Sequence, residues 1–217
     1  MKDKIKKTLE VKRDIKKEEL EILDILKSKE LDSIKMDSIR AILTELAKEI
    51  IDAKTRAVFD EVTGCVTQKF IREFLGKEME KNKRYKEKLS IVMIDIDYLK
   101  QINDTFGHVV GTRVIESVAK IIKTNVRKAD IVSRYGGDEF LVVCPNTGIK
   151  ECRKLAKRIE KAADGYEFQT DLNVSICTGA AEYRESLIKS DDFINEADKE
   201  LYQMKKKREL SKLPGQS

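Results

Sequence analysis

Ile131-Val132-Ser133-Arg134-Tyr135-Gly136-Gly137-Asp138-Glu139-Phe140-Leu141-Val142-Val143-Cys144 is the stretch on which the fold turns. Two β-branched, apolar runs, Ile131 to Tyr135 and Phe140 to Cys144, flank a Gly-Gly turn, which is the pattern of a β-hairpin. Upstream, Val114, Ile115, Val118, Ile121 and Ile122 recur at helical spacing, and Leu89 to Ile94 form a continuous apolar run bounded by charge, as a strand covered on both faces should. Phe70, Ile71, Phe74 and Leu75 give a further helix one apolar face. Downstream, the pattern predicts a helix around Lys150 to Ala163, a strand through Leu172 to Ile176 and a helix from about Asp191 to Lys206. The order β-α-β-β-α-β predicts an α+β domain, a sheet flanked by helices.

The first sixty residues read differently. Gly64 is the first glycine and Pro145 the first proline, so nothing breaks a helix there. We expect two helices, the first carrying Leu20, Leu23 and Leu26 and interrupted at Ser28 to Ser33. The second carries Ile39, Leu43, Leu46, Ile50, Ala53 and Ala57 in alternating steps of four and three, the seam of a short coiled coil. That seam either pairs two chains or packs on the first helix. The expected organisation is a helical segment at 1–59, a catalytic-sized domain at 60–210 and a tail at 211–217.

The 217 residues carry a net charge of +5, too mild for a protein that lives on duplex nucleic acid. No apolar stretch is long enough for a membrane span and no apolar signal segment opens the chain, so the expected location is cytoplasmic. With 38% charged residues, 2 Pro and no Trp, the composition excludes collagenous and Pro/Gly-rich disordered classes. The four cysteines, Cys65, Cys144, Cys152 and Cys177, lack C-x-x-C spacing and His108 is the lone histidine, which argues against zinc. Cys144 and Cys177, in apolar runs, read as buried thiols.

The Leu89 strand ends in Asp95-Ile96-Asp97, and a β-α-β-β arrangement brings the hairpin acids Asp138 and Glu139 beside it. Converging carboxylates with no Arg or Lys cluster at hand call for hard cations, and oxygen-only ligation selects Mg²⁺ or Mn²⁺. Two such ions could activate a hydroxyl and bind a nucleotide's phosphates. Solvated turns would use the same acids without any ion.

The full string Arg134 to Phe140 resembles the signature of the GGDEF family of diguanylate cyclases, and four other stretches keep its register. Asp60-Glu61-Val62-Thr63-Gly64 is similar to the family's D-x-L-T-G, Asp95 to Lys100 to its D-I-D-x-F-K, and Ile102 to His108 to its I-N-D-x-x-G-H. Val174-Ser175-Ile176 and Ala197-Asp198-x-x-Leu201-Tyr202-x-x-Lys205 complete the set, so the resemblance covers roughly Asp60 to Lys206. It implies a palm-like nucleotide cyclase sheet that condenses two GTP into cyclic di-GMP with release of pyrophosphate, each chain of a homodimer presenting one GTP, with two Mg²⁺ ions per site. By the resemblance, Asp95, the Ile96 carbonyl, Asp138 and Glu139 would bind metal, and Asp138 would take the proton of the attacking 3′-hydroxyl. Lys100 would stabilise charge on the transferring phosphoryl group. Tyr98, Leu99, Gly136, Gly137, Asn103 and His108 would bind substrate, and Lys205 would reach the triphosphate. The two glycines also have a physical reason, since a backbone without Cβ lets phosphates approach a turn closely.

Thr112 stands where most of the family carries Asp. A carboxylate there would accept guanine N1–H and N2–H₂ together, which a hydroxyl cannot, so guanine selectivity should weaken by roughly one to two powers of ten. Adenine becomes admissible, because the Asn103 amide can bond either purine, and the chain is similar to a minority branch that makes mixed cyclic GMP-AMP from GTP and ATP. Gln68-Lys69 and Cys177 are further departures, and the tail lacks G-R-N, leaving Arg208 as the substitute for a phosphate-binding arginine or as a solvated helix end. Arg127-Lys128-Ala129-Asp130, with Arg158, resembles the R-x-x-D site at which the family binds cyclic di-GMP as a feedback ligand. A catalytically weak cyclic di-GMP receptor is the non-enzymatic alternative.

Overall fold

Every residue from Leu89 to Ile96 is buried, and this strand, β2, is the spine of the fold. The computed structural model describes residues 34–168, 172 and 174–212, and the chain divides into two units, 1–59 and 60–217. In the first unit the described part is one helix, α1 (Ile34–Val58). Leu43, Leu46 and Ile50 of the expected seam are 44%, 47% and 52% exposed, and Ala53 and Ala57 are exposed too. The helix expected around Leu20, Leu23 and Leu26 lies outside the described residues, as do 213–217 of the tail.

The second unit contains β1 (Val66–Thr67), α2 (Gln68–Tyr85), β2, α3 (Leu99–Phe106), α4 (His108–Asn125), β3 (Ile131–Arg134), β4 (Glu139–Pro145), α5 (Ile149–Asp164), β5 (Ile176–Glu182) and α6 (Ser190–Lys212). The sheet order is β1-β3-β4-β2-β5. The β3-β4 hairpin is antiparallel, with Arg134 opposite Phe140, and β2 runs antiparallel to both β4 and β5. β1 adds a parallel edge beside β3, a two-residue strand too short to show a period in sequence. The β-α-β-β-α-β core and the α+β class are as the sequence predicts.

Strand parity sorts the side chains. Val92, Ile94, Ile96, Val132, Phe140, Val142 and Cys144 share one core with α4 and α5 residues such as Val114, Val118, Cys152 and Ile159. The opposite parity of β2, Ile91, Met93 and Asp95, turns toward the other face, where α6 packs on β5 and β2. All four cysteines are buried and reduced.

One strand differs from expectation. The last strand runs Ile176–Glu182, not Leu172 to Ile176, and only Ile176 is common to both. Its body, Cys177-Thr178-Gly179-Ala180-Ala181, is small-sided and therefore carries little strand signal. The reason is α6: a Cβ on Gly179 would lie 2.3 Å from both the Ala197 carbonyl oxygen and the Leu201 nitrogen. The helix rests directly on the strand, and side chains of ordinary strand size would hold it off. α6 also continues to Lys212, beyond the expected Lys206.

Candidate active site

The parity of β2 puts Asp95 and Asp97 on the α6 side of the sheet while Ile96 goes into the core at 1% exposed. Asp95 is directly opposite Glu139 of β4 and Cys177 of β5, and Ile96 N–H donates to the Asp138 carbonyl at 3.2 Å. The strand end and the hairpin are thereby locked together, and Asp95, Ile96, Asp138 and Glu139 meet as the sequence predicts. Burial pushes the Asp95 carboxyl up, with Lys205 opposing and the like charges of Asp138 and Asp97 adding to the rise. Glu139 is pushed up by burial and then by Asp95, Asp138 and Asp198. Carboxylates crowded among like charges are chemically suited to a divalent cation, and their hard oxygens fit Mg²⁺ or Mn²⁺.

The expectation that no cluster of Arg or Lys stands at these acids is overturned. Lys205 Nζ of α6 is 2.6 Å from Asp95 Oδ1, and Arg208 Nη1 is 2.6 Å from Asp97 Oδ2. Residues i and i+2 of a strand lie on one face, and residues i and i+3 of a helix lie on one face, so the D-x-D and K-x-x-R spacings match. That match is a signal in the sequence which reading each lysine singly does not reveal. Asp97 also accepts from Ser175 Oγ at 2.7 Å, and Arg208 donates to the Ile176 carbonyl at 2.9 Å. Among the described residues, no three His, Cys, Asp or Glu side chains form a ready-made metal cage.

The two glycines of the turn serve different ends. A Cβ on Gly136 would meet Glu139 Oε2 at 2.6 Å, whereas nothing lies within 4 Å of one on Gly137. Gly136 makes room for the Glu139 carboxylate, and Gly137 opens on a cleft. That cleft, of about 490 Å³, is lined by Leu99, Lys100, Asn103, Asp104, His108, Thr112, Ile115, Arg134, Gly137 and Asp138. Seven residues expected to act in catalysis or bind substrate, Leu99, Lys100, Asn103, His108, Thr112, Gly137 and Asp138, thus share one wall system.

Helices α3 and α4 form that wall. Tyr98, just before α3, takes a left-handed backbone with φ of 58°, a conformation costly for a bulky residue and concentrated at functional sites. Asn103 lies so close to α4 that a Cβ on Gly111 would come within 1.9 Å of its Oδ1, so the glycine before Thr112 seats the amide. Thr112 Oγ1 donates to the His108 carbonyl at 2.9 Å, which leaves its oxygen to act toward the cleft as an acceptor.

Lys205, Arg208 and Tyr98 belong to a neighbouring cavity of about 210 Å³, lined also by Asp95, Asp97, Cys177 and Glu209. Arg208 is turned to Asp97 there. Cys177, at the family's glycine position, has its thiol pushed up to about 12 by burial and by Asp97.

Arg134, the first residue of the signature string, ties the hairpin turn to the Asp60 loop. Its Nη2 and Nε donate to the Gly137 carbonyl at 2.8 and 3.2 Å, and its Nη1 reaches Asp60 Oδ2 at 3.3 Å. Asp60 Oδ1 in turn accepts from Thr63 N–H at 2.8 Å and Thr63 Oγ1 at 2.6 Å. Behind the hairpin, Arg72 Nε donates to the Tyr135 hydroxyl at 3.0 Å.

At the far end of β3, about 13 Å away for four residues, the R-x-x-D stretch is a closed turn. Arg127 N–H donates to Asp130 Oδ2 at 2.8 Å, and Asp130 N–H to the Arg127 carbonyl at 3.0 Å. Arg158 of α5 is anchored on the Asn125 carbonyl at 2.6 Å and acts on the Asp130 charge. The three expected residues are brought together.

The family model "Diguanylate cyclase, GGDEF domain" matches residues 57–210. The chain is 45% identical over 123 residues to Diguanylate cyclase A of Treponema denticola, covering 55% of this chain and 33% of that protein. It is 32% identical over 154 residues to the response regulator PleD of Caulobacter vibrioides, covering 69% and 34%. The coiled coil and GGDEF domain of DgcB from Caulobacter crescentus, solved with c-di-GMP, superposes with a TM-score of 0.72 at 21% identity, covering 80% of this chain and 93% of that one. The chain spans about a third of the length of the curated relatives named here. No described helix is long and apolar enough to cross a membrane. With its model matched over more than half the sequence and its signature acids converging in one site, the chain belongs to the GGDEF family.

Proposed function

We propose that this chain condenses two GTP molecules into cyclic di-GMP, each protomer of a homodimer presenting one nucleotide. The observation that carries this reading is the single cleft joining Asn103, His108 and Thr112 to Lys100, Gly137 and Asp138, with Asp95 and Glu139 opposite one another beside it. A base at the α3-α4 wall would leave its triphosphate over the first turn of α3 and the open Gly137. Asp95, Asp138, Glu139 and the Ile96 carbonyl would hold two Mg²⁺ or Mn²⁺ ions. Such ions neutralise phosphate charge and acidify a hydroxyl.

The 3′-oxygen of one nucleotide then bonds to the α-phosphorus of the other, its proton passes to Asp138 and pyrophosphate leaves. The reciprocal step closes the ring. Lys100, at the cleft, would meet the charge that develops on the transferring phosphoryl group. Two sites must face each other for this, and the exposed Leu43, Leu46 and Ile50 on α1 offer a seam for a second copy. Arg127, Asp130 and Arg158 would bind the product as a feedback ligand, guanidinium forks being suited to phosphate and guanine edges.

Thr112 favours a second reading in which ATP is also accepted and cyclic GMP-AMP is formed. Its hydroxyl, donated to His108, presents only an acceptor, which guanine N–H and adenine N6–H₂ satisfy alike. Incubating the purified protein with Mg²⁺ and GTP, ATP or both, and resolving products by mass, tests both readings. Cyclic di-GMP from GTP alone is expected, with mixed product when both are supplied. No cyclic dinucleotide from any mixture sinks the enzymatic reading and leaves a receptor. Thr112→Asp should shift the product ratio toward di-GMP by about tenfold to a hundredfold, and an unchanged ratio refutes the account of base selection.

A further inference from the structure

We propose that Lys205 is an exchangeable counter-ion, in competition with a divalent cation for Asp95 and passed to the nucleotide's phosphates when the cation takes that carboxylate. The inference rests on the reading of the site as one that binds metal and triphosphate. Its starting point is the difference between two adjacent ion pairs on α6.

Arg208 is built in. Besides Asp97 Oδ2 it donates to the Ile176 carbonyl of β5, and the same Asp97 oxygen also accepts from Ser175 Oγ. Leu201, 2% exposed, and the close approach at Gly179 fix the same helix on β5. The α6 backbone is thus pinned on both sides of Lys205. Lys205, about as exposed as Arg208 (35% against 32% of the side chain), reaches Asp95 Oδ1 at 2.6 Å on a flexible four-carbon stem that ends in a compact charge.

Asp95 stands among Asp97, Asp138 and Glu139, so a positive charge at its oxygen offsets three like charges. A divalent cation bound there would lie within a few ångströms of the ammonium, and the two repel strongly in a half-buried site. Displacement needs only side-chain rotation within the cavity of about 210 Å³ that Lys205 lines with Asp95 and Tyr98. Tyr98 precedes Leu99 and Lys100 of the nucleotide cleft, so the freed ammonium is delivered toward the triphosphate. Each ligand thereby removes an obstacle for the other, and linkage makes the effect reciprocal.

Two measurements test this. Mn²⁺ titrated alone into full-length protein, followed by electron paramagnetic resonance of the free ion, should bind Lys205→Gln about five to tenfold more tightly than wild type. In parallel, the factor by which Mn²⁺ strengthens binding of α,β-methylene-GTP should fall about fivefold or more in the variant. The metal's own affinity for the nucleotide is common to both proteins and cancels. In the wild type, where no variant has to fold, Mn²⁺ alone should raise the rate of Lys205 acylation by an amine-reactive ester about threefold or more, read by peptide mass spectrometry.

Equal Mn²⁺ affinities with an unchanged coupling factor overturn the proposal, as does an acylation rate indifferent to Mn²⁺. Either result beside normal Mn²⁺ binding and product formation leaves the catalytic reading standing. Failure of both proteins to bind Mn²⁺, together with no cyclic product, overturns the two together.

Discussion

Asp60 and Asp95 both lie within reach of the GGDEF hairpin, in stretches that match the family signature, and they have opposite chemical fates. Asp60 is served from every side. Against the upward pull of its burial, two hydrogen bonds from Thr63 and the Arg134 guanidinium hold its carboxyl below the usual range. Asp95 has one ammonium from α6, and burial with its acidic neighbours pushes it up. A carboxylate that the fold satisfies is structural; one that the fold leaves short of positive charge has capacity for a ligand. Arg134 ties Asp60 to the hairpin turn, holding Asp60 with one nitrogen and the Gly137 carbonyl with two others.

Asp95→Asn is the harshest way to break this contrast. The amide keeps the size of the side chain and loses the charge on which a divalent cation depends. Turnover should fall at least about 100-fold in a steady-state pyrophosphate-release assay, while the thermal midpoint stays near wild type. A variant that unfolds while keeping its specific activity would mean that Asp95, not Asp60, is the structural acid.

Asp60→Asn should do the reverse. Loss of charge-assisted bonds to Thr63 and Arg134 should cost about 1.5 to 3 kcal/mol of stability, read as a shifted urea midpoint at unchanged slope. Activity per folded molecule should stay within a few-fold. Because the folded carboxyl is depressed, its contribution is fully present above the ordinary value of 3.8 and is lost as pH falls through the lower folded value. Acid unfolding of the variant should therefore be shallower than that of wild type. Equal stability of the two proteins at neutral pH refutes the assignment.

Most of the fold was legible because its periods are clean. Leu89 to Ile94 has the continuous apolar run of a doubly covered strand, and the Gly-Gly hairpin marked where the acids would emerge. The last strand was misplaced because Gly179, Ala180 and Ala181 are small to admit α6, and a tertiary requirement of that kind leaves no local β signal. At the site, the cleft residues followed from the motifs, whereas the Lys205–Asp95 and Arg208–Asp97 pairs depend on α6 crossing β2 and β5 in one register. Only matching helix and strand spacings across more than a hundred residues would have exposed them. Gly136 shows the same limit, since its role concerns the Glu139 side chain three residues on and not the approach of phosphate.

The mildest test sharpens the contrast by removing repulsion. Glu139 faces Asp95 across the β2-β4 ladder, and burial followed by Asp95, Asp138 and Asp198 raises its carboxyl above the ordinary 4.5. A raised acid holds its proton more tightly when folded, so the chain loses stability as pH climbs from about 4.5 through the folded value, the opposite sense to Asp60. Glu139→Gln leaves one charge fewer among these acids and deletes that slope. In chelator-treated protein the variant should melt slightly higher than wild type at pH 7, with a difference that shrinks toward pH 4, while turnover drops with loss of a proposed metal ligand. Gain of stability with loss of activity is what a site strained for function predicts. A variant that melts lower than wild type at pH 7 would show that Glu139 belongs, with Asp60, to the acids that the fold satisfies.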